Sequence, residues 1–186
     1  MINRDAALAL LYEHVQSDSL RKHCLAVETV MRAYARKYGA DEELWGAAGL
    51  LHDFDYEKHP NLEQHPFVGV GWLREHGYPE ELIDAILAHA DYSGVPRDRP
   101  LRTALFAADE LSGFVMAVAR VRPNRSLAEV DVRAVRKKMK DKAFAAAVNR
   151  ADIEQGAVEL GVPLDEHIDF VIRALQANAV ELGFTS

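Results

Sequence analysis

Apolar positions recur at helical spacing along almost the whole chain, and no stretch alternates apolar and polar residues as a half-buried strand would. Leu8, Leu11, Tyr12 and Val15 predict a first short helix. Ser17 or Asp18 then caps a second, whose stripe runs Leu20, His23, Val27, Val30 and Tyr34 before Gly39 stops it. Asp41 opens the segment DEELWGAAGLLHDF, where Gly46, Ala47, Ala48 and Gly49 permit a close neighbouring helix. A loop through Pro60 leads to Asn61 and Gln64, at capping-box spacing ahead of a helix expected to hold His65 and Pro66. Gly77 ends that helix, and Pro79 opens another that reaches His89. Beyond a loop marked by Pro96 and Pro100, the stretch LRTALFAADELSGFVMAVARV carries Asp109 and is broken by Pro123. Asp131 caps a basic helix, and two or three more run to Leu182, with Gly161 and Pro163 between them. Neither repeats nor low-complexity linkers interrupt this pattern, so the predicted fold class is all-α, a single-domain helical bundle over residues 1–186.

Composition narrows the setting. A chain of 186 residues, 49% hydrophobic and 27% charged, is ordinary for a globular domain and long enough to bury a core without covalent staples. Cys24 is the only cysteine, which excludes an intrachain disulfide and fits a reducing compartment. The apolar run Ala6 to Leu11 is too short for a signal peptide, and nothing approaches the roughly 18 apolar residues of a membrane span, so the expectation is a cytoplasmic protein with no membrane partner.

Charge is spread unevenly. The net charge is −7, yet residues 120–150 hold ten Arg/Lys against three Asp/Glu. The run Arg133, Arg136, Lys137, Lys138, Lys140, Lys142 either is a solvated helical face or holds the charged tail of a nucleotide. Only Phe144 lies close to it as an aromatic, and the chain is acidic overall, which disfavours nucleic acid as a partner.

The chemistry lies in the order H…HD…H…H…D: His23, the doublet His52-Asp53, His65, His89 and Asp109. Polar groups set within apolar helical stretches cost about 2–7 kcal/mol each if unpaired, and a shared cation gives several of them one reason. Adjacent residues project about 100° apart on a helix, but a metal at the helix edge can be reached by a long His and a short Asp together. Asp53 has two oxygens and could bridge two ions, with His23, His52 and Asp109 completing one site and His65 and His89 the other. Mixed imidazole and carboxylate donors suit one or two divalent transition ions, Mn, Fe, Ni or Zn, better than Mg. Such ions polarise phosphoryl oxygens and activate water, so phosphate-ester hydrolysis is the chemistry this donor set points to.

These segments carry a resemblance. RKHCLAVE around His23, LLHDFDYE around the doublet and LFAADELSG around Asp109 resemble the motifs of the HD-domain superfamily of metal-dependent phosphohydrolases. HPFVGVGWL and ILAHAD resemble the places where two-metal members carry extra histidines. The resemblance covers roughly residues 18–120 and leaves about 121–186 as a C-terminal helical extension. It implies a helical bundle with a central metal, held by His23, His52, Asp53 and Asp109, and a second ion held with His65 and His89. His52 and Asp53 are then catalytic as well as ligating. Departures exist: Ala90 follows His89 where the family often has a His-His pair, and the Gly-Tyr-Pro signature of the cyclic-dinucleotide phosphodiesterases is absent after the doublet. Gly77-Tyr78-Pro79 spells it too far downstream, and the nucleotidase branch carries a Glu soon after its doublet, a place near which Glu57 stands.

The expected activity is hydrolysis of a small phosphate ester, such as a nucleotide or a related phosphomonoester or diester, by metal-activated water. Lys58, Arg136 and Lys137 are candidate substrate-binding cations, and Asp55 is expected at the pocket mouth. An HD-type diiron oxygenase and a non-catalytic nucleotide-sensing module are the alternatives, since they share the ligand order. Oligomeric state is not legible in the sequence.

Overall fold

The computed structural model describes residues 2–185. Among them there are nine α-helices and no strand. They are α1 (Arg4–His14), α2 (Asp18–Tyr38), α3 (Glu42–Leu51), α4 (Phe67–Glu75), α5 (Glu80–His89), α6 (Pro100–Arg120), α7 (Val132–Met139), α8 (Arg150–Leu160) and α9 (Leu164–Gln176). Local chemistry sets their ends. Ser17 caps α2 through Leu20 N at 3.3 Å, Asp41 caps α3 through Glu43 N at 2.9 Å, and Asp131 caps α7 through Ala134 N at 2.7 Å. Gly39 at φ 64° and Gly161 at φ 69° turn the chain out of α2 and α8 in the left-handed conformation that a side chain would resist.

The two longest helices form the frame. α2 packs on α3, α6 and α9, while α6 also receives α5 and α8. Leu11, Val30, Leu50, Leu105, Phe114 and Val171 are fully buried between them, and each such side chain is worth roughly 1.5–3 kcal/mol removed from water. Close approach is built in where predicted: a Cβ on Gly49 would lie 2.9 Å from the backbone of Glu28, so α2 and α3 touch main chain to main chain. Gly156 plays the same part on α8, where a Cβ would meet Ala107 Cα of α6 at 2.7 Å. No helix of the described residues is long and apolar enough to cross a membrane.

Three local expectations are corrected. His65 and Pro66 lie in turns, and α4 begins only at Phe67; Asn61 Oδ1 does accept from Gln64 N at 3.0 Å, but the segment it caps is a turn, not helix. The chain after Gln176 runs in turns rather than helix towards Leu182. His167, which the charged residues beside it in the sequence would place at the surface, is 1% exposed. Its Nε2–H donates to the Ala107 carbonyl at 2.9 Å and its Nδ1 accepts from the Tyr34 hydroxyl at 2.7 Å, which joins α9, α6 and α2. Burial lowers its pKa to about 4.

Two predictions follow from this packing. Gly49→Ala should destabilise the fold by about 1–3 kcal/mol, since backbone must move, whereas Gly71→Ala, with nothing within 4 Å of its Cβ, should stabilise by about 0.5–1 kcal/mol in denaturant melts. His167 binds its proton less readily folded than unfolded, so its contribution is fully present above its ordinary pKa of 6.5 and is lost as pH falls through about 4. Between pH 7 and 4 the native protein should therefore lose about 3 kcal/mol more stability than His167→Gln.

Candidate metal centre

The sequence stops α3 one residue before the doublet. His52 caps the helix with helical dihedrals, and Asp53 falls in the turn beyond, so the two side chains escape the 100° divergence of a continuous helix. His23 comes from the middle of α2, Asp109 from the middle of α6, His89 from the last residue of α5, and His65 from the turn before α4. Five segments far apart in sequence thus deliver six donors to one place.

Two triads result. Nε2 of His23 lies 3.2 Å from Nε2 of His52 and 3.0 Å from Asp109 Oδ1, and His52 Nε2 is 3.4 Å from that same oxygen. The second triad is Asp53 with His65 and His89, whose Nε2 atoms lie 3.2 and 3.6 Å from Asp53 Oδ1. In each triad the donor atoms lie within 4.8 Å of one another. Asp53 belongs to both: its Oδ2 faces His52 at 3.4 Å and His23 at 3.8 Å, while its Oδ1 faces the other pair.

The rings are held from behind. His52 Nδ1–H donates to the Gly49 carbonyl at 2.7 Å, His89 Nδ1–H donates to the Ile86 carbonyl, and His65 Nδ1–H donates to Asp55 at 2.7 Å. Each of these bonds fixes the tautomer that leaves Nε2 free to ligate, as metal sites require. Asp55 is the site residue that sequence reasoning misplaced. It is 3% exposed, and its second oxygen accepts from Gly69 N at 2.8 Å. A Cβ on Gly69 would lie 2.8 Å from that carboxylate, so only glycine fits there. The sole signal for Asp55 was its place two residues past Asp53 in a loop, where burial follows no period.

Electrostatics match a cation centre. Burial alone would raise Asp53 and Asp109, yet the surrounding imidazoles hold both well below the usual carboxylate range. Burial would lower His52, but the two carboxylates hold it well above its ordinary value, and against the same burial Asp53 and Asp55 bring His65 to about 9. Positive charge is thus favoured at His52 and His65, beside the two ionised carboxylates. The donor set, imidazole nitrogens in fixed tautomers with carboxylate oxygens, fits divalent transition ions. Cys24 stays out of this chemistry, its thiol pushed up to about 12 by burial.

A cleft of about 480 Å³ opens onto the centre, walled by His23, Asp53, His65, His89 and Asp109, with His52 wholly buried beneath. The predicted phosphate binders are elsewhere. Lys58 is exposed beside His14, Arg136 pairs with Asp165 at 3.3 Å, and neither they nor Lys137 line the cleft. From segment 120–150 only Arg120 and Val148 line the cleft or the hollow beside it, so α7's basic run faces away. Glu110, adjacent to Asp109, does line it; its carboxylate accepts from Asn149 N, and burial with the Asp109 charge lifts it to about 7.

Comparison with known proteins bears on the same residues. A ribonuclease Y of Oleidesulfovibrio alaskensis is 31% identical over 105 residues, 56% of this chain and 20% of that protein. One from Lactobacillus acidophilus is 30% identical over 104 residues, covering 55% and 19%, and one from Thermus thermophilus is 35% identical over 71 residues, covering 38% and 12%. The chain therefore spans at most about a fifth of the length of these curated relatives. No solved structure gave a significant match. The model of the HD domain family matches residues 20–113, a stretch that contains all six converging donors. With half of its length so matched, the chain belongs to the HD domain family.

Proposed function

We propose that this chain is a metal-dependent phosphohydrolase acting on a nucleotide phosphate ester by attack of metal-activated water. The observation that carries the reading is the placement of Asp53 between two donor triads, one carboxylate oxygen towards each. His23, His52 and Asp109 would hold one ion, His65 and His89 the other, with Asp53 common to both. Bound there, divalent metal supplies Lewis-acid polarisation of a phosphoryl oxygen and acidification of a water towards neutral pH. The chain's own residues do the positioning: carbonyls of Gly49 and Ile86 and the Asp55 carboxylate lock the imidazoles, and the buried floor at His52 excludes bulk water from the inner side.

Relatives named ribonucleases support a phosphodiester within the nucleotide class, and they bring nucleic acid back among the substrates that overall acidity disfavoured. The shared hydrophobic core, which runs from Ala7 to Phe184, supports reading residues 1–186 as one domain with the metal-binding core at about 18–120.

The test is metal content as purified, followed by turnover on a phosphoester panel with Mn, Fe, Ni or Zn restored. Release of phosphate or cleavage of a diester is expected. Two irons per chain with dioxygen uptake and no ester cleavage would replace this reading with the oxygenase, and tight nucleotide binding without turnover would replace it with a sensor.

The bridging position makes a sharper prediction. Asp53→Ala should lose both ions and all turnover, while Asp109→Ala and His65→Ala should each retain one ion, with helical circular dichroism preserved in all three; elemental analysis of the purified variants checks it. Asp55→Asn cannot orient His65 as a charged acceptor and should weaken metal binding about 10–100-fold in chelator competition, without touching a ligand.

A further inference from the structure

One stripe of α6 leads away from the metal centre. Asp109, Gly113, Met116 and Arg120 follow one another at steps of four, three and four residues, so they share a helix face. Asp109, a member of the first triad, stands at one end. At the other, Arg120 is exposed and makes no ion pair among the described residues. Between them a second hollow of about 530 Å³ adjoins the metal cleft, the two sharing His23, Tyr56, Gly113 and Val148 at their neck. Its walls are mostly apolar, with Leu20, Met116, Pro60 and the exposed ring of Tyr56. Its one carboxylate, Glu57, is occupied by the backbone N–H groups of Gln16 and Ser17 at 2.9 Å each. Past Arg120 lies a smaller hollow of about 360 Å³ bearing Lys22 and Arg125, where Lys22 is paired with Asp18 and Arg125 makes no ion pair among the described residues.

Charge gives the cleft a direction. On the opposite flank of the metal lobe stand Asp91, Glu110 and Asp152; the nearby Arg97 is taken up by Asp91 and Glu159, and no Lys or Arg lines the cleft, so an anionic group extending that way would meet no free cation. An anion extending along α6 would reach Arg120 instead. Arg120 stands eleven positions after Asp109, about 16 Å along the helix. With the reach of the arginine side chain taken off, that leaves room for one nucleoside between two phosphates.

We infer that the apolar hollow is a nucleoside subsite and that Arg120, with Arg125 and Lys22 behind it, binds a second phosphate of the same substrate. The substrate class is then a phosphorylated dinucleotide or short oligonucleotide, with the scissile ester at the two triads and the next phosphate at Arg120. This deepens the phosphohydrolase reading and rests on it for the place of the scissile ester. Tyr56 offers a ring face to the base, and Arg120 is a positioning residue, remote from the reacting atoms.

Binding separates the two readings. The probes are ApA, pApA and ApAp with cleavage-resistant phosphorothioate linkages, titrated calorimetrically into the metal-loaded protein. One of the two terminally phosphorylated forms should bind about tenfold tighter than ApA. Arg120→Gln should abolish that advantage while leaving ApA affinity unchanged, and Ser19→Trp, which fills the hollow from its exposed rim, should weaken all three. Equal binding of the three probes to the native protein, or an advantage that survives Arg120→Gln, overturns the inference even if esters are cleaved. A phosphate advantage lost in Arg120→Gln, on a protein that cleaves no ester, sustains the subsite and rejects the hydrolase.

Discussion

Two ionised carboxylates near the middle of a helical bundle set the terms for everything around them. Withdrawing a carboxylate from water costs several kcal/mol unless charge and hydrogen bonds return what is lost. Asp53 and Asp109 receive that return from four imidazoles, and a cation between the triads would supply it more fully. The remainder of the architecture can be understood as the means of holding six donors in place. α2 and α6 span the bundle and carry His23 and Asp109, α3 ends where His52 and Asp53 are needed, and α5 ends at His89.

Rigidity is the second requirement, because ligands a fraction of an ångström out of place bind poorly. Glycines do part of this work by subtraction. Gly49 brings α3 against the backbone of α2, and the carbonyl of that same Gly49 holds His52. Gly69 leaves space for the Asp55 carboxylate and also donates to it, so one residue both admits and anchors the group that orients His65. Elsewhere, ion pairing fastens the frame: Glu28, 2% exposed, accepts from Arg4 at 2.7 Å and Arg32 at 2.9 Å, and Arg4 also reaches Glu181, so α1, α2 and the C-terminal turns are tied together.

The cleft's asymmetry then separates chemistry from recognition. Acidic side chains crowd the metal lobe, cations stand at the far end of the stripe on α6, and an apolar hollow lies between. The strongest basic run in the chain, on α7, has no part in this. Its Arg136 pairs with Asp165, Lys138 sits over the ring of Phe144, and the helix turns only Val135 fully into the core. Density of charge along a sequence is a poor guide to a binding site, since a short amphipathic helix must point its cations somewhere and solvent is the least costly place.

What the sequence determined by itself is whatever repeats with the helical period or depends on near neighbours. Ser17, Asp41 and Asp131 as caps, Gly39 and Gly161 as stops, and the all-α class are of this kind, because a cap bonds a group two or three residues away. The six donors were legible too, as polar residues in apolar surroundings whose order matches a family pattern. The tertiary structure alone decided how Asp53 divides its oxygens between two triads, that Asp55 is buried behind His65, that His167 lies in the core and that Lys58 does not face the cleft. Each of those depends on which distant segment arrives opposite a loop or a helix face, and neither loop burial nor long-range approach leaves a period in the sequence.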